Sequence, residues 1–445
     1  MATDRTDGNK LFGREGQSCM DKKELELYVH IPFCVRKCAY CDFLSFPSGE
    51  SEARERASYV DALLREIKGQ KDNFKDYVVT TVFLGGGTPS LLRESDTARI
   101  FHALKESFDI SGNAEITMEV NPGTVTAKKA AAWRMCGVNR LSIGLQSAND
   151  DELKILGRIH TFQDFLGTWK IIREAGFDNV NIDLISAIPG QTLPSWEKTL
   201  RAAAELGAEH LSAYSLIIEE GTPFYKIYGE GETQNKDDSS DGKESTALSH
   251  CAACLPIPSL PDEDTEREIY KVTKGILEEY GYHRYEISNY AKEGYECRHN
   301  LGYWERKEYL GLGLGASSLI NEQRFRNTAD MGRYLEVFKT DGAAEEGLFG
   351  ADGGVAAFPC AGKEDIEMLS VQEQMEEFMF LGLRKMKGVS RTGFQKRFGK
   401  TVEEVYLNQI KKLERQGLVE SAGDDLWLTE RGIDVSNYVF AEFLL

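Results

Sequence analysis

The sequence predicts an α/β protein in which a partial, TIM-like (β/α)6 barrel of parallel strands is followed by a smaller, mainly helical domain. Short apolar runs alternate with longer amphipathic segments over the first half of the chain. Polar residues or glycines follow several of these runs, and a pattern of helix, turn and short hairpin begins near residue 364. Alternating strands and helices imply parallel strands joined by crossover helices.

Six apolar runs are predicted as the strands of the barrel, namely residues 25–31, 78–84, 115–120, 140–145, 179–185 and 210–218. The predicted helices lie between them, near residues 52–70, 95–107, 126–136, 161–175 and 194–206. A closed barrel of this kind has eight such units, so six predict a partial one. In parallel architectures the ligand site lies at the carboxyl ends of the strands.

The pattern also predicts how the chain divides into domains. We expect a flexible N-terminus over residues 1–22, the barrel and its extension over 23–340, an insertion or linker over 341–363, and a C-terminal domain over 364–445. Residues 229–264 interrupt the barrel region as an irregular insertion. The C-terminal domain has the outline of a winged-helix-like unit. Such units often bind DNA, but the acidic balance of the chain favours a packing or interaction role.

The composition of the chain argues against several classes of function. The chain has 445 residues and a formal net charge of −19, which argues against non-specific binding of nucleic acid. No apolar run approaches the roughly 18–20 residues that span a bilayer, and the polar first 20 residues do not read as a signal peptide. Because the cysteines are expected to be free thiols, the cytoplasm is the expected compartment. Peripheral membrane association and the oligomeric state are left open.

The most informative motif is the loop that contains Cys34, Cys38 and Cys41, spaced C-x-x-x-C-x-x-C. Three thiolates on one loop can hold three irons of a [4Fe–4S] cluster, whose ligand set normally has four cysteines. The open iron can then be chelated by the amine and carboxylate of an amino acid. A zinc knuckle would need a second cysteine pair nearby. A further pair, Cys251 and Cys254, could suggest redox or metal chemistry, but it lies inside the irregular insertion without a following His or a second pair, so a functional role is disfavoured.

Polar residues recur at the predicted strand ends. The second strand runs into Gly85-Gly-Gly-Thr-Pro89, whose backbone can approach a ligand closely because glycine lacks Cβ. Glu119, Gln146, Arg158 and Asp183 lie at or after the next three strands, and they could bind an ammonium group, a ribose or a carboxylate. Each could instead make ordinary structural hydrogen bonds. Their repetition at successive strand ends favours a binding site.

Taken together, these residues resemble the radical S-adenosylmethionine (SAM) superfamily, in the branch of oxygen-independent coproporphyrinogen III oxidase and the HemW-type haem chaperones. The motifs that carry the resemblance cover residues 24–225 and are Tyr28-Val-His-Ile-Pro-Phe-Cys34, the cysteine loop, Gly85-Gly-Gly-Thr-Pro89, Glu119-Val-Asn-Pro122, Leu141-Ser-Ile-Gly-Leu-Gln146 and Asn181-Ile-Asp-Leu184. The resemblance implies that Cys34, Cys38 and Cys41 bind a [4Fe–4S] cluster. It also implies that SAM is surrounded by Tyr28, Tyr40, Gly86, Gly87, Thr88, Glu119, Gln146, Arg158 and Asp183.

Two features separate the branches. The oxidase pattern has a further cysteine two positions after the third, where this chain has Phe43. The segment His299-Asn-Leu-Gly-Tyr-Trp304 is similar to the H-N-x-x-Y-W signature of the haem chaperones. His299 is then the expected haem ligand, since imidazole is a good axial ligand for haem iron. Without the resemblance, a structural histidine is the simpler interpretation.

The resemblance implies a haem chaperone that binds a [4Fe–4S] cluster, SAM and haem, and passes haem to haemoproteins of the respiratory chain. The alternative is an oxygen-independent coproporphyrinogen III oxidase, in which a SAM-derived radical starts an oxidative decarboxylation. Whether the protein is an enzyme stays open at this point, because the sequence does not decide whether SAM is cleaved or only bound. A DNA-binding regulator built on the C-terminal domain is the third interpretation.

Overall fold

The computed structural model describes residues 22–47, 53–229, 258–339 and 362–445. Its main feature is a twelve-stranded sheet with a run of parallel strands at its centre. Six of these strands follow one another in both sequence and space, as the alternating pattern predicts. They are β1 Lys23–Ile31, β2 Tyr77–Gly86, β3 Ile110–Val120, β4 Arg140–Gln146, β5 Val180–Ser186 and β6 His210–Ser215.

A helix or helix pair connects each of these strands to the next. These helices are Ala53–Gly69, Glu94–Ser107, Ala127–Cys136, Asp150–Ile155 with Phe162–Glu174, and Leu193–Glu205. Short polar side chains begin several of them. Thr161, for example, accepts a hydrogen bond from the backbone N–H of Asp164, and the Asp164 carboxylate accepts one from the backbone of Thr161. This capping box satisfies N–H groups that have no partner within the helix.

Six further strands extend the sheet on both sides. They are β7 His283–Arg284, β8 Asn289–Ala291, β9 Tyr309–Leu312, β10 Ser317–Ile320, β11 Gln323–Asn327 and β12 Lys363–Met368. The order across the sheet is β12-β11-β10-β9-β1-β2-β3-β4-β5-β6-β8-β7. Strand β9 pairs parallel with β1, so the parallel run has a seventh member that the sequence pattern did not predict. Its four residues are too short a run to stand out from the chain.

The parallel strands separate an apolar outer layer from a polar interior. On β1, Leu25, Leu27, Val29 and Ile31 are buried in the large core that the strands share with the surrounding helices. Successive side chains of a strand point to opposite faces, so the alternate residues of β1 face the other way. Side chains from β2 to β6 line one small cavity of about 170 Å³ on that inner face, so these five strands surround a common interior.

The remaining helices follow β6. They are Tyr225–Tyr228, Glu263–Glu279, Arg298–Trp304, Met331–Val337, Val371–Gly382, Arg391–Phe398, Val402–Arg415, Glu430–Asp434 and Ser436–Ala441, and a 3₁₀ turn, Pro89–Leu91, follows β2. None of the helices among the described residues is long and apolar enough to cross a bilayer.

The C-terminal residues form a second apolar core. Two helices, Arg391–Phe398 and Val402–Arg415, precede the hairpin Val419–Ala422 and Asp425–Leu428, and the short strand Val389–Ser390 joins that hairpin. This is a mainly helical, winged-helix-like arrangement. Ion pairs of 2.7 Å, Arg306 with Glu377 and Arg284 with Glu430, attach it to the extended sheet.

The predicted domain boundaries stay predictions. Strand β12, Lys363–Met368, lies at the edge of the large sheet beside β11, so the first residues of the predicted C-terminal domain pair with the sheet. The predicted N-terminal segment up to residue 21, residues 230–257 of the insertion with Cys251 and Cys254, and residues 340–361 lie outside the described residues.

Candidate functional site

The carboxyl ends of the parallel strands open into a cavity of about 500 Å³. All but two of the residues predicted for the site line this cavity. They are Cys34, Cys38, Tyr40, Cys41, Gly86, Gly87, Thr88, Glu119, Gln146, Arg158 and Asp183. Tyr28 and His299 lie elsewhere. The cavity therefore brings together residues that are as far as 149 positions apart in the chain.

The cysteine loop is held in place by its backbone. Phe33–Cys34 and Phe46–Pro47 pair as two short parallel strands across its ends. Ala39 lies near the middle of the loop. Its N–H donates to the carbonyl of Leu156 at 3.0 Å, and the carbonyl of Ala39 accepts from the N–H of Phe224 at 3.0 Å. These bonds attach the loop to segments that follow β4 and β6.

The three thiols are free and half-buried, and those of Cys34 and Cys38 contact polar side chains of the cavity. The hydroxyl of Thr88 donates to Cys34 Sγ at 3.4 Å, and Arg158 Nη1 donates to Cys38 Sγ at 3.7 Å. Burial raises the pKa of the Cys41 thiol to about 11. Thr88 and Arg158 would help to stabilise a deprotonated sulfur, which is the form that binds metal.

The donor set fits an iron–sulfur cluster better than a single ion. Among the described residues, no three His, Cys, Asp or Glu side chains converge closely enough to hold one metal ion. A [4Fe–4S] cluster does not need such convergence, because each thiolate binds a different iron. Three thiols that line one cavity are therefore compatible with a cluster.

The glycine segment after β2 brings backbone to the edge of the cavity. Gly86 has a φ of +106°, and a Cβ at Gly87 would lie 2.8 Å from the backbone nitrogen of Phe33. Only glycine satisfies both requirements without strain. The N–H of Gly86 donates to Glu119 Oε2 at 2.9 Å. Burial raises the pKa of the Glu119 carboxyl to about 8, with Asp183 as a second cause.

Arg158 belongs to a hydrogen-bonded group centred on Asn121, a residue of the Glu119-Val-Asn-Pro122 motif for which no role was predicted. Its Nη2 donates to Asn121 Oδ1 at 2.8 Å and to the carbonyl of Gly144 at 2.9 Å. Asn121 Nδ2 in turn donates to the hydroxyl of Thr88 at 2.8 Å. The signal for Asn121 was its place two residues after Glu119, beyond the end of β3.

Asp183 lies where this cavity meets the smaller one of about 170 Å³. Its carboxylate accepts hydrogen bonds from Ser142 at 2.7 Å and from Asn181 at 2.8 Å. Burial raises its pKa, while these bonds and the charge of Arg140 act in the opposite direction. Arg140, which is buried, and Asn300 also line the smaller cavity. Arg140 was not predicted as a site residue, because its position at the start of β4 gives no signal for a ligand site.

Tyr28 lies in the barrel interior rather than on the cavity lining. Its hydroxyl is 2.9 Å from His30 Nδ1, and its ring stacks on Phe83 with centroids 6.3 Å apart. The Nε2 of His30 is 2.8 Å from the carbonyl of Leu44, which follows the cysteine loop. Tyr28 can therefore affect the loop through His30. Its predicted contact with SAM stays a prediction.

His299 is buried inside the barrel and does not line the cavity at the carboxyl ends of the strands. Its Nδ1 is 2.7 Å from the hydroxyl of Thr81, its Nε2 is 3.0 Å from the hydroxyl of Tyr303, and its ring stacks on Phe83 at 5.1 Å. The residue is 1% exposed, and burial lowers its pKa to about 3. Both ring nitrogens are thus engaged and shielded in this conformation. Its predicted role as a haem ligand stays a prediction that requires the helix Arg298–Trp304 to move.

The fold and the cavity define a class of protein, and comparisons with known proteins agree with it. Residues 28–203 match the radical SAM superfamily, and residues 369–435 match the HemN C-terminal domain. The solved structure of coproporphyrinogen III oxidase (HemN) from Escherichia coli has the same fold, with a TM-score of 0.74 and 21% identity. The match covers 96% of this chain and 91% of that one. This chain is a radical SAM protein.

Sequence comparison identifies the branch. The chain is 34% identical to the heme chaperone HemW of Bacillus subtilis, across 94% of this chain and 98% of that protein. It is 33% identical to the heme chaperone HemW of Escherichia coli, across 94% and 98%. The chain belongs to the HemW family.

Proposed function

We propose that this protein is a cytoplasmic haem chaperone built on a radical SAM scaffold. It binds a [4Fe–4S] cluster, SAM and haem, and it transfers haem to haemoproteins of the respiratory chain. The observation that carries the proposal is the similarity to HemW proteins over nearly the whole chain. The exposed Phe43 at the position of the oxidase's further cysteine supports it.

The cavity supplies the groups that the two cofactors require. Cys34, Cys38 and Cys41 would hold the cluster, which when bound supplies one electron to the sulfonium of SAM. Arg158 is oriented by Asn121 and Gly144 and can pair with the carboxylate of SAM. Other residues predicted to surround SAM are Tyr40, Gly86, Gly87, Thr88, Glu119, Gln146 and Asp183, all on the same cavity.

The side chains of the cavity also bind and orient the ligand before any reaction takes place. Glu119 and Asp183 can accept hydrogen bonds from a ribose or an ammonium group. Buried donors already hold each of them, so they need little reorganisation when a ligand binds. The cysteine loop forms one wall of the cavity. The protein's own contribution is thus to orient SAM beside the three thiolates.

Oxidative decarboxylation of coproporphyrinogen III is the second candidate. The shared fold with the Escherichia coli oxidase over 96% of this chain favours it. Anaerobic incubation with coproporphyrinogen III, SAM and a reductant tests it, and formation of protoporphyrinogen would place this chain among the oxidases.

The test of the chaperone is haem binding followed by haem transfer. The anaerobically reconstituted protein is titrated with haem and followed by absorbance, and the loaded protein is then mixed with a haem-free respiratory cytochrome. We expect a saturable spectrum and a transfer that is faster than haem exchange from serum albumin. A wild-type protein that gives no saturable spectrum would contradict the proposal.

A further inference from the structure

The mouth of the large cavity carries an unusual set of exposed apolar side chains. Val35 is 50% exposed, Phe43 67%, Ile159 59% and Ile217 67%, and all four line the same cavity. They come from three separate segments: the cysteine loop, the residues after Gly157, and the residues that follow β6. We call these four residues the mouth patch.

Scattered exposed apolar residues are normal on a protein surface, but clustered ones mark a binding surface. Here three loops that are distant in sequence each place an apolar side chain at one opening. The loops have no shared local pattern that would produce this convergence. The mouth patch therefore indicates a ligand with an apolar face that covers the opening of the cavity.

Charge at the mouth restricts that ligand further. Arg36 and Lys37 are exposed, line the cavity beside Val35, and form no ion pair among the described residues. The chain as a whole carries a formal net charge of −19, so two adjacent unpaired cations at this opening are a local exception. Asp42 and Glu219 also line the cavity. An anionic group of the ligand would therefore lie beside Arg36 and Lys37 rather than beside Asp42 and Glu219.

We propose that the mouth patch, together with Arg36 and Lys37, is the site where the protein holds its haem cargo. A haem has a flat apolar macrocycle and two propionates on one edge, which match an apolar rim flanked by two cations. The inference rests on the proposed function and assigns its binding surface. It places haem over the cysteine loop rather than at His299, whose ring nitrogens are both engaged inside the barrel.

The experiment uses the full-length protein with its cluster reconstituted, and haemin as the probe. We expect Phe43→Asp and Ile217→Asp each to weaken haemin binding at least tenfold, and the Arg36→Glu, Lys37→Glu double variant to do the same. Met135→Asp and Lys128→Glu are the matched controls, because both side chains are exposed on the helix Ala127–Cys136, outside the cavity lining. The iron content of each variant reports whether the cysteine loop is intact.

A second probe tests the cations separately. Protoporphyrin IX dimethyl ester has the same macrocycle but no propionate charge. We expect the wild type to bind it at least tenfold more weakly than protoporphyrin IX, and the Arg36→Glu, Lys37→Glu variant to show no such preference. Equal binding of the two porphyrins by the wild type would overturn the assignment of the propionates.

Three results would overturn the site. In the first, the mouth variants bind haemin as the wild type does, while a folded His299→Gln variant loses binding. In the second, Phe43→Asp dissociates a wild-type dimer and leaves haemin binding unchanged, which would make the patch an interface between copies. In the third, Phe43→Asp weakens binding of the protein to lipid vesicles and leaves haemin binding unchanged. A wild type that binds no haemin contradicts the proposed function instead, so the two failures are distinguishable.

Discussion

Arg158 and Cys38 are in contact across the cavity, with Nη1 of the arginine 3.7 Å from Sγ of the cysteine. The same guanidinium donates to Asn121 and to the carbonyl of Gly144, so its position is set by two other elements of the barrel. Arg158 therefore contacts one proposed cluster ligand directly, and through Asn121 it is linked to Thr88, a residue predicted to surround SAM.

Replacement of Arg158 by glutamine is expected to weaken SAM binding about 10-fold to 100-fold, since a hydrogen bond to a charged group contributes about 1.5–3 kcal/mol. Calorimetric titration of the reconstituted protein with SAM measures the change. Arg201→Gln is the control, because that side chain pairs with Glu279 on the surface. SAM affinity that is equal in Arg158→Gln and Arg201→Gln would refute the role of Arg158.

Replacement of Cys38 by serine is expected to abolish assembly of the cluster, because serine removes one of three thiolates. The wild type should take up about four irons and four sulfides per chain, as a [4Fe–4S] cluster requires. Cys136→Ser is the control, since that half-buried thiol lies at the end of a helix outside the cavity lining. Iron and sulfide analysis after anaerobic reconstitution measures both. Full iron content in Cys38→Ser would exclude this cysteine as a ligand.

The glycine of the H-N-x-x-Y-W segment has a steric role that a double variant can test. A Cβ at Gly302 would collide with the carboxylate of Glu26, a buried residue of β1. We expect Gly302→Ala to lower the free energy of unfolding by about 1–3 kcal/mol, which is typical of overpacking. Urea unfolding measures the change.

The matched control for this collision is Glu26→Ala combined with Gly302→Ala. Removal of the carboxylate frees the space, so the alanine at position 302 should cost much less in the Glu26→Ala background than in the wild type. If the cost is the same in both backgrounds, the collision with Glu26 is not its cause.

Stability should depend on pH through His299. Burial lowers its pKa in the folded protein to about 3, whereas the unfolded chain binds a proton near pH 6.5. The folded state thus loses relative stability as the pH falls below 6.5. The loss from this residue reaches about 2 kcal/mol at pH 5, at about 1.4 kcal/mol per pH unit.

Comparison of wild type with His299→Asn by urea unfolding at pH 7 and pH 5 isolates this contribution. We expect the stability advantage of the wild type to shrink by about 2 kcal/mol between the two values. The exposed His102, which pairs with Glu106, provides the control His102→Asn. An advantage that is constant with pH would mean that His299 titrates equally in both states.

Much of the barrel could be predicted because its signals are local. Strands β1 to β6 and the five predicted helices lie within about five residues of their predicted positions, whereas the short helix Asp150–Ile155 was not predicted. The short edge strands could not be predicted, because runs of two to six residues carry too little periodicity to be distinguished from loops. Among the residues of the site, Asn121 lies in a recognisable motif, whereas nothing in the sequence around Arg140 indicates a ligand site.

His299 shows which properties of a residue can be predicted from the sequence and which depend on the tertiary structure. Its motif could be recognised in the sequence, but its surroundings depend on Thr81 and Phe83, which are more than 200 positions away in the chain. The spacing of the cysteines and the order of strands and helices were readable from the chain alone, since each depends on neighbours in sequence. The burial of His299 and the convergence of the mouth patch arise only when distant strands close around one interior, because contacts across a sheet are set by packing rather than by sequence proximity.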